Sequence, residues 1–236
     1  HALGTDQYDL DELYSPDTGQ WRSKVLDIGS PKYSPNKTYA FDRSRYRNHG
    51  TITGAVWKQL PSGIWVLSFD GTDDKISVPD NDVLDITATI TLESWVKPTS
   101  AQSGTFDRPV SGKTTAWLLY YYHTLADYSG VFSFQDSTSA WQHGGGPLAI
   151  SSGVWHHFVG IYDGTNVITY LDGVAAITRN IGAKTIIQNA LTFNIANDGG
   201  EAFIAATIGE IRIYSRALTA SEILQKYLAK KWRYSG

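Results

Sequence analysis

The sequence predicts an all-β protein, a two-sheet antiparallel jelly-roll sandwich with one short C-terminal helix. Three observations support this prediction. Apolar residues alternate along a series of short segments separated by Asp-Gly and similar turns. The 236 residues include 22 Gly, 14 Tyr and 8 Trp but only 18% charged residues, a composition that favours strands and tight turns. Helical spacing of apolar residues is found only after residue 218.

The predicted strands follow one another after residue 50, with turns between them. In the segment 63–71, Trp65, Leu67 and Phe69 share one face, and Asp70-Gly71 forms a turn. The clearest hairpin spans 154–176, where two strands flank a turn at 163–166. The segment 116–123 is aromatic on both faces, as a strand covered on both sides would be. The other predicted strands are 74–80, 88–98, 130–136, 191–197 and 206–216.

One helix is predicted near the C-terminus. Thr219 and Glu222 have the spacing of a capping box, in which two side chains bond the first free backbone amides of a helix. After them, Ile223, Leu224, Tyr227 and Leu228 fall on one face at helical spacing. We expect this face to pack against the sandwich.

The chain divides into an extended N-terminal arm or lead-in, residues 1–38, and one domain, residues 39–236. The first part is rich in Pro, Ser, Asp and Tyr and lacks sustained periodicity. It is either an extension that lies on its own domain or an arm that docks onto another chain. The chain has no Met and starts with His1, which predicts a processed chain or a piece of a longer protein.

Composition and charge exclude several classes of partner. A net charge of −3 argues against nucleic acid, which requires a basic surface. No apolar run approaches 18 residues, so no membrane insertion is expected. With no Cys there is no disulfide framework and no indication of the redox compartment.

Four segments resemble one known family. They are "LSFDGTDDKISVPD", "ITLESWVKP", "GVWHHFVGIYDGTNVITYLDGVAA" and "IGEIRIYSRALTASEI". Their order and spacing resemble the laminin-G-like group of the concanavalin A-like lectin/glucanase superfamily, from about Phe41 to Tyr227. The resemblance implies the sandwich fold. It does not select a function, because this fold serves lectins, glycosidases, adhesins and structural spacers.

The resemblance also implies a structural calcium ion at "DRSRYRNHG", residues 42–50. The implied ligands are Asp42, backbone carbonyls near Asn48 and His49, and Glu210, a set of oxygen donors that suits calcium. Two glycines of the family pattern are arginines here, at positions 45 and 47. Three alternatives therefore stay open: a calcium site, a guanidinium that takes the place of the ion against Asp42 or Glu210, and an ordinary solvated turn.

The sequence predicts no enzyme. A glycosidase needs paired carboxylates, and no two of the five glutamates lie within five residues of each other. Asp73 and Asp74 are neighbours in a turn and are expected to point apart or into solvent. His156 and His157 are adjacent on a strand, so their rings face opposite sides. The glycine-rich segment 143–147 has no Gly-x-Ser-x-Gly elbow to accompany it.

Aromatic residues form the candidate binding site. Sugar sites stack rings on pyranose faces, and six candidates crowd into one stretch of the chain: Trp117, Tyr120, Tyr122, His123, Tyr128 and Trp141. Alternation requires about half of the residues in 116–122 to face the core. Trp141 is the strongest candidate because it lies in a polar segment that would not ordinarily bury an indole.

These observations predict a non-catalytic carbohydrate-binding or adhesion module. It would be extracellular, on a cell surface or associated with a virion, with a glycan as its partner. The alternative is a structural or assembly protein, such as a virion decoration or fibre component, whose partners are neighbouring subunits. An exposed aromatic shelf would favour the first function, and buried aromatic residues the second.

Overall fold

Two antiparallel sheets packed face to face form the protein in the computed structural model, which describes residues 23–31, 35–99, 108–123, 128–144, 148 and 150–234. The strands are β1 (Lys24–Ile28), β2 (Tyr39–Ala40), β3 (Gly50–Thr53), β4 (Val56–Gln59), β5 (Trp65–Asp70), β6 (Lys75–Val78), β7 (Ile90–Pro98), β8 (Arg108–Lys113), β9 (Trp117–His123), β10 (Tyr128–Gln135), β11 (Trp141–His143), β12 (His156–Tyr162), β13 (Asn166–Leu171), β14 (Val174–Asn180), β15 (Phe193–Ile195) and β16 (Ala205–Tyr214). The helix α1 spans Ala220–Lys230, and short 3₁₀ turns lie at Asp82–Leu84 and Lys231–Arg233.

Each sheet combines strands that are consecutive in the chain with strands from distant parts of it, as expected for a jelly roll. The first sheet, sheet A, has the order β14-β13-β12-β7-β16-β5-β4, with β1 also paired to β16. The second, sheet B, has the order β11-β10-β9-β8-β15-β6-β3-β2. Neighbours such as β7 and β16 are far apart in sequence and pair antiparallel. The predicted two-sheet jelly-roll sandwich with one C-terminal helix is confirmed.

The core lies between the two sheets, and period-two alternation fills it. Residues from both sheets belong to one continuous buried cluster. Tyr121 of sheet B stacks on Phe158 of sheet A with ring centroids 5.3 Å apart. Gly160 makes room for the ring of Phe132, because a Cβ at position 160 would lie 2.4 Å from the Cβ of Phe132. The sheets therefore meet through large aromatic side chains, which stack on one another or pack against a glycine of the facing sheet.

Helix α1 covers part of the outer face of sheet A. The predicted capping box is present, since the Thr219 hydroxyl accepts from the backbone of Glu222 and the Glu222 carboxylate accepts from the backbone of Thr219. Ile223 is buried in a second apolar cluster against residues of β12, β13 and β16. Leu224 and Leu228, predicted on the same packing face, are instead exposed. The helix packs on the sheet through Ile223 and the partly buried Tyr227. Leu224 and Leu228 each follow one of these residues in the chain, so they lie about 100° further around the helix and face solvent.

The N-terminal part of the described chain belongs to sheet A. Strand β1 pairs with β16 in a register that places Asp27 opposite Arg212. Residues 24–28 of the predicted arm are thus an integral strand, and the domain boundary at residue 38 stays a prediction. Residues 1–22 lie outside the described residues. Among the residues that the structure describes, no helix is long and apolar enough to cross a membrane.

Candidate functional site

Strands β9, β10 and β11 bring part of the predicted aromatic set to the outer face of sheet B. Opposite pairs across β10 and β11 are Gln135 with Trp141 and Ser133 with His143, so these four side chains share one face. Tyr120 joins them, since its hydroxyl lies 3.1 Å from the Ser133 hydroxyl. We call these five residues the Trp141 face.

Trp141 is an exposed aromatic side chain of this face. It opens the edge strand β11 and is 37% exposed. Its ring is nearly parallel to that of His143, with centroids 6.2 Å apart and an interplanar angle of 20°. Its Nε1 lies 3.0 Å from the Gln135 carboxamide, which accepts its hydrogen bond. The indole is therefore held in one orientation while its flat surface remains partly open to solvent.

The remaining predicted aromatic residues fall into three groups. Trp117 is only 1% exposed and packs against Phe193 in the core, so its ring is not on a surface. Tyr120 points outward but is 6% exposed, and its hydroxyl lies 3.3 Å from Nδ1 of His143. Tyr122, His123 and Tyr128 belong to β9 and β10, but their side chains lie outside the described residues. The described set thus contributes one open ring with polar neighbours.

A single carboxylate organises the turn that precedes Trp141. Asp136 accepts hydrogen bonds from the backbone and hydroxyl of Thr138, the backbone of Ala140 and the side chain of Gln142. These bonds, led by the Thr138 hydroxyl and opposed by burial, lower the pKa of Asp136 to about 2. The turn is therefore held by a charged group at every pH at which a binding experiment is practical.

The segment 42–50 closes on itself around Asp42. Oδ1 of Asp42 accepts from the backbone amides of Asp27 and Ser44, and Oδ2 accepts from the Ser44 hydroxyl and the Asn48 amide, all within 2.7–2.8 Å. These four donors occupy the acceptor positions that a carboxylate offers. The ring of His49 accepts from the Asp42 amide, and the Asn48 side chain donates to the Val25 carbonyl.

Glu210, the fourth residue implied for calcium, faces cations of the protein. Its Oε2 lies 2.7 Å from Nζ of Lys230 and 3.3 Å from Nη2 of Arg212. No hydrogen bond or ion pair within the described part of the chain joins it to Asp42. Because protein donors already saturate Asp42 and neutralise Glu210, this donor set does not fit a calcium ion. The calcium site remains a prediction that these contacts do not support.

The two arginines of the segment also differ from the expected guanidinium substitute. Arg45 and Arg47 are exposed, and the Arg45 guanidinium lies 4.6 Å from the ring centroid of Tyr46. The cations beside Glu210 are Lys230 of α1 and Arg212 of β16, and neither comes from the segment 42–50. Arg47 adopts a positive φ of 54°, the conformation that the glycine of the family pattern would supply.

Three aspartates come together at the turn after β5. Asp70, Asp73 and Asp74 approach one another, with ligand oxygens within 4.8 Å. Asp73 and Asp74 therefore do not point apart, but Asp73 is exposed to solvent, which was the other arrangement expected. The turn folds back because Asp74 accepts the Asp70 amide. Burial, together with the charges of Asp70 and Asp73, raises the pKa of Asp74, although its hydrogen bond from Asp70 opposes the shift.

The paired histidines bond to different carboxylates, as alternation predicts. His156 Nδ1 lies 2.9 Å from Asp172, and His157 Nε2 lies 3.0 Å from Glu93. The two rings serve separate contacts and share no site.

An aromatic cleft on the outer face of sheet A was missed at the level of sequence. It has a volume of about 610 Å³, and its lining includes Trp95, Lys97, Trp155, Tyr227, Lys231 and Trp232. We call it the Trp95 cleft. Its tryptophans come from β7, the segment before β12 and the chain end after α1, so only the fold brings them together. The available signals were the outward position of Trp95 and the basic aromatic run 230–234.

Comparison with known proteins identifies the family and several structural neighbours. A laminin G family model, described as the concanavalin A-like lectin/glucanases superfamily, matches residues 70–224. No curated protein matches the sequence.

Domain 4 of AbnA, a GH43 extracellular arabinanase from Geobacillus stearothermophilus solved with arabinotriose, is similar in structure. Its TM-score is 0.67 at 20% identity, over 86% of this chain and 97% of that domain. The binding domain of Paraclostridial Mosquitocidal Protein 1 gives a TM-score of 0.68 at 13% identity, over 89% of this chain and 52% of the other. The botulinum neurotoxin serotype D ligand binding domain in complex with N-acetylneuraminic acid gives 0.65 at 14%, with the same two coverages.

Proposed function

The chain belongs to the concanavalin A-like lectin/glucanases superfamily, and from this premise we propose that it is a non-catalytic carbohydrate-binding or adhesion module. The observation that carries the proposal is the partly exposed ring of Trp141 on a face lined with polar side chains. Two structural neighbours with this fold were solved with a saccharide bound, arabinotriose in one and N-acetylneuraminic acid in the other. At identities of 20% or less they support the class of ligand and no particular sugar.

The chemistry of the Trp141 face suits saccharide recognition. The flat indole can stack on the apolar C–H face of a pyranose or furanose ring, and the His143 ring beside it extends the stacking surface. Gln135 and His143 supply donors and acceptors at the same face, which would orient the sugar hydroxyls, while the buried Ser133 hydroxyl lies 2.8 Å from Nδ1 of His143 and holds that ring in place. We place the sugar on Trp141, with the polar groups at its edge.

The absence of catalysis is part of the proposal. Hydrolysis of a glycosidic bond needs two carboxyl groups on either side of the bond. Asp136 is the one carboxylate described next to the Trp141 face, and both its oxygens already accept hydrogen bonds from protein groups. We propose a location outside the cell, on a cell surface or on a virion, where a glycan ligand is available.

A glycan array with the wild-type chain and a Trp141→Ala variant tests the proposal. We expect specific binding of at least one glycan, and a loss of affinity of about tenfold or more in the variant, as for an aromatic hot spot. Thermal unfolding should change little, because the ring is partly exposed. Trp232→Ala, a tryptophan on the other side of the sandwich, is the control and should keep this binding. Negative arrays from a chain shown to be folded would refute the proposal.

A second function, contact with a neighbouring protein subunit, is favoured by a different observation. Leu224 and Leu228 are exposed on α1, and Val174 is exposed on the adjacent strand β14. Exposed apolar side chains grouped in this way often mark protein contacts. Light scattering over a range of concentrations tests this function. Assembly that Leu228→Ser abolishes would support it, and a monomer at all concentrations would count against self-assembly.

A further inference from the structure

The floor of the Trp95 cleft is a stack of aromatic rings. Trp95 lies parallel to Tyr234, with centroids 4.3 Å apart and an angle of 10°, and to Tyr227 at 5.9 Å and 15°. Trp95 is buried, and its Nε1 has no hydrogen-bond partner among the described residues. A stack of three rings is rigid, so the floor keeps its shape without a ligand.

The walls of the cleft carry two further tryptophans. Trp155 is partly buried and lies 4.8 Å from the Tyr234 ring at an angle of 53°. Trp232 is 58% exposed, yet its Nε1 donates to the Ala229 carbonyl at 2.9 Å, which fixes the ring. The volume of about 610 Å³ lies within the range of known small-molecule sites. The cleft therefore offers oriented ring surfaces that a sugar could stack on.

The charges at the cleft are positive. Lys97 and Lys231 line it, and neither has a carboxylate partner among the residues described. Other lysines of this side of the protein are paired, such as Lys230 with Glu210. The nearby carboxylates are already bonded, Glu93 to His157 and Asp172 to His156. Neither ammonium group is neutralised by a carboxylate of the described residues, although Nζ of Lys231 lies 5.7 Å from the ring centroid of Tyr227. Two such groups beside the exposed Trp232 ring indicate an anionic ligand with apolar faces.

We propose that the Trp95 cleft is a second saccharide site and that it binds a sugar carrying a carboxylate, such as a uronic acid unit. The sugar ring packs against Trp232 and Trp155, and its carboxylate pairs with Lys231 and Lys97. This site lies on the outer face of sheet A, whereas the Trp141 face lies on sheet B, so each can bind without the other. Neutral glycans have no reason to prefer the cleft.

Titration of tryptophan fluorescence with uronate oligosaccharides tests the proposal. The probes are trimers of galacturonate, glucuronate and mannuronate, each compared with its methyl ester, which keeps the ring and removes the charge. We expect at least one acid form to bind and its methyl ester to bind at least about tenfold more weakly. The affinity of the acid form should fall as the salt concentration is raised. If no acid form binds to folded protein, or if esters bind equally well, the proposal is wrong.

Variants locate the binding and separate this site from the Trp141 face. Trp232→Ala should weaken uronate binding about tenfold or more, and Lys231→Gln, which leaves Lys97 in place, should remove about half of its salt dependence. Trp141→Ala is the matched control and should leave uronate binding unchanged. Uronate binding that is lost in Trp141→Ala and kept in Trp232→Ala would overturn the assignment. Competition by inorganic sulfate as strong as by the uronate itself would also overturn it, since the site would then recognise charge alone.

Discussion

Arg47 is a residue whose backbone conformation suits glycine better than its own side chain. Its φ of 54° lies in the left-handed region, which costs a non-glycine residue about 1–2 kcal/mol. Arg45, the other arginine at a family glycine position, does not have a positive φ. The segment therefore requires glycine-like geometry at one of the two positions and tolerates a side chain at the other.

We expect Arg47→Gly to raise the free energy of unfolding by up to about 1 kcal/mol, because it relieves the left-handed conformation at some cost in chain entropy. Arg45→Gly is the matched control and should lower it, by about 0.5–1 kcal/mol, because glycine there gains only freedom in the unfolded chain. Urea denaturation of both variants measures the difference. Equal changes in the free energy of unfolding for the two substitutions would show that the positive φ at position 47 does not destabilise the protein.

Asp42 holds its loop through four hydrogen bonds, and this predicts calcium-independent stability. Asp42→Ala leaves three buried amides and a hydroxyl without their acceptor, so we expect a loss of about 3 kcal/mol or more. Melts of the wild-type chain with calcium and with a chelator should coincide. Asp163→Ala, which removes a similar cap from an exposed turn, should cost about 1 kcal/mol. A melting temperature that calcium raises in the wild type but not in Asp42→Ala would instead establish the calcium site.

At the scale of elements, strand β16 joins the helix to the rest of sheet A through charges. Glu210 and Arg212 alternate onto its outer face, and Arg212 lies 3.1 Å from Asp27 of β1 and 3.9 Å from Glu93 of β7. Lys230 of α1, which lies on this outer face, forms an ion pair with Glu210 at 2.7 Å. One guanidinium therefore contacts three carboxylates on three strands, each through a different nitrogen.

Replacing Arg212 should be one of the most destabilising single changes in the protein. Arg212→Ala leaves buried carboxylates without their shared partner, for which we expect a loss of about 3–5 kcal/mol. Arg212→Lys should recover little of it, because one ammonium group cannot reach three carboxylates in the geometry of the fork. Chemical denaturation checks both, with the exposed Arg179→Ala as a control that should change stability by less than about 0.5 kcal/mol. Near-native stability of Arg212→Lys would contradict this account.

Elements specified by local sequence were the predictable part of the fold. Strand alternation, the 163–166 turn and the Thr219 capping box each depend on residues a few positions apart, and all three are present.

Contacts between distant parts of the chain could not be predicted in this way. Glu93 looked isolated in sequence because its partners come from distant elements; Tyr214, for example, is 121 residues away. For β9, alternation required some aromatic rings to be buried. Only pairing with β10 and packing against sheet A decide that Trp117 faces inward and Tyr120 outward.

At the scale of the whole molecule, the buried charges make stability depend on pH. Burial alone would raise the pKa of Asp27, Glu93 and Glu210. Nearby cations and hydrogen bonds outweigh burial. They are Arg212 and Lys24 at Asp27, Lys226 and Arg212 with a hydrogen bond to His157 at Glu93, and Arg212 with Lys230 at Glu210. The pKa of each carboxyl in the folded protein is therefore below its ordinary value.

Because these pKa values are lowered by folding, their stabilising contribution is complete above the unfolded values, near pH 4, and is lost as the pH falls below them. We expect the free energy of unfolding to be nearly constant from pH 7 to about pH 5. The three carboxyls of this network should then contribute a limiting slope of about 4 kcal/mol per pH unit, which corresponds to three protons taken up on unfolding at about 1.4 kcal/mol each. Asp136, whose pKa is also lowered, adds to the slope. Urea denaturation at a series of pH values measures the slope. Glu201→Gln, at an exposed position, should leave the curve unchanged. A slope of about 1.4 kcal/mol per pH unit or less, which is one proton, would show that the buried carboxyls do not cause the acid sensitivity. A loss of stability that begins near pH 6 would show the same.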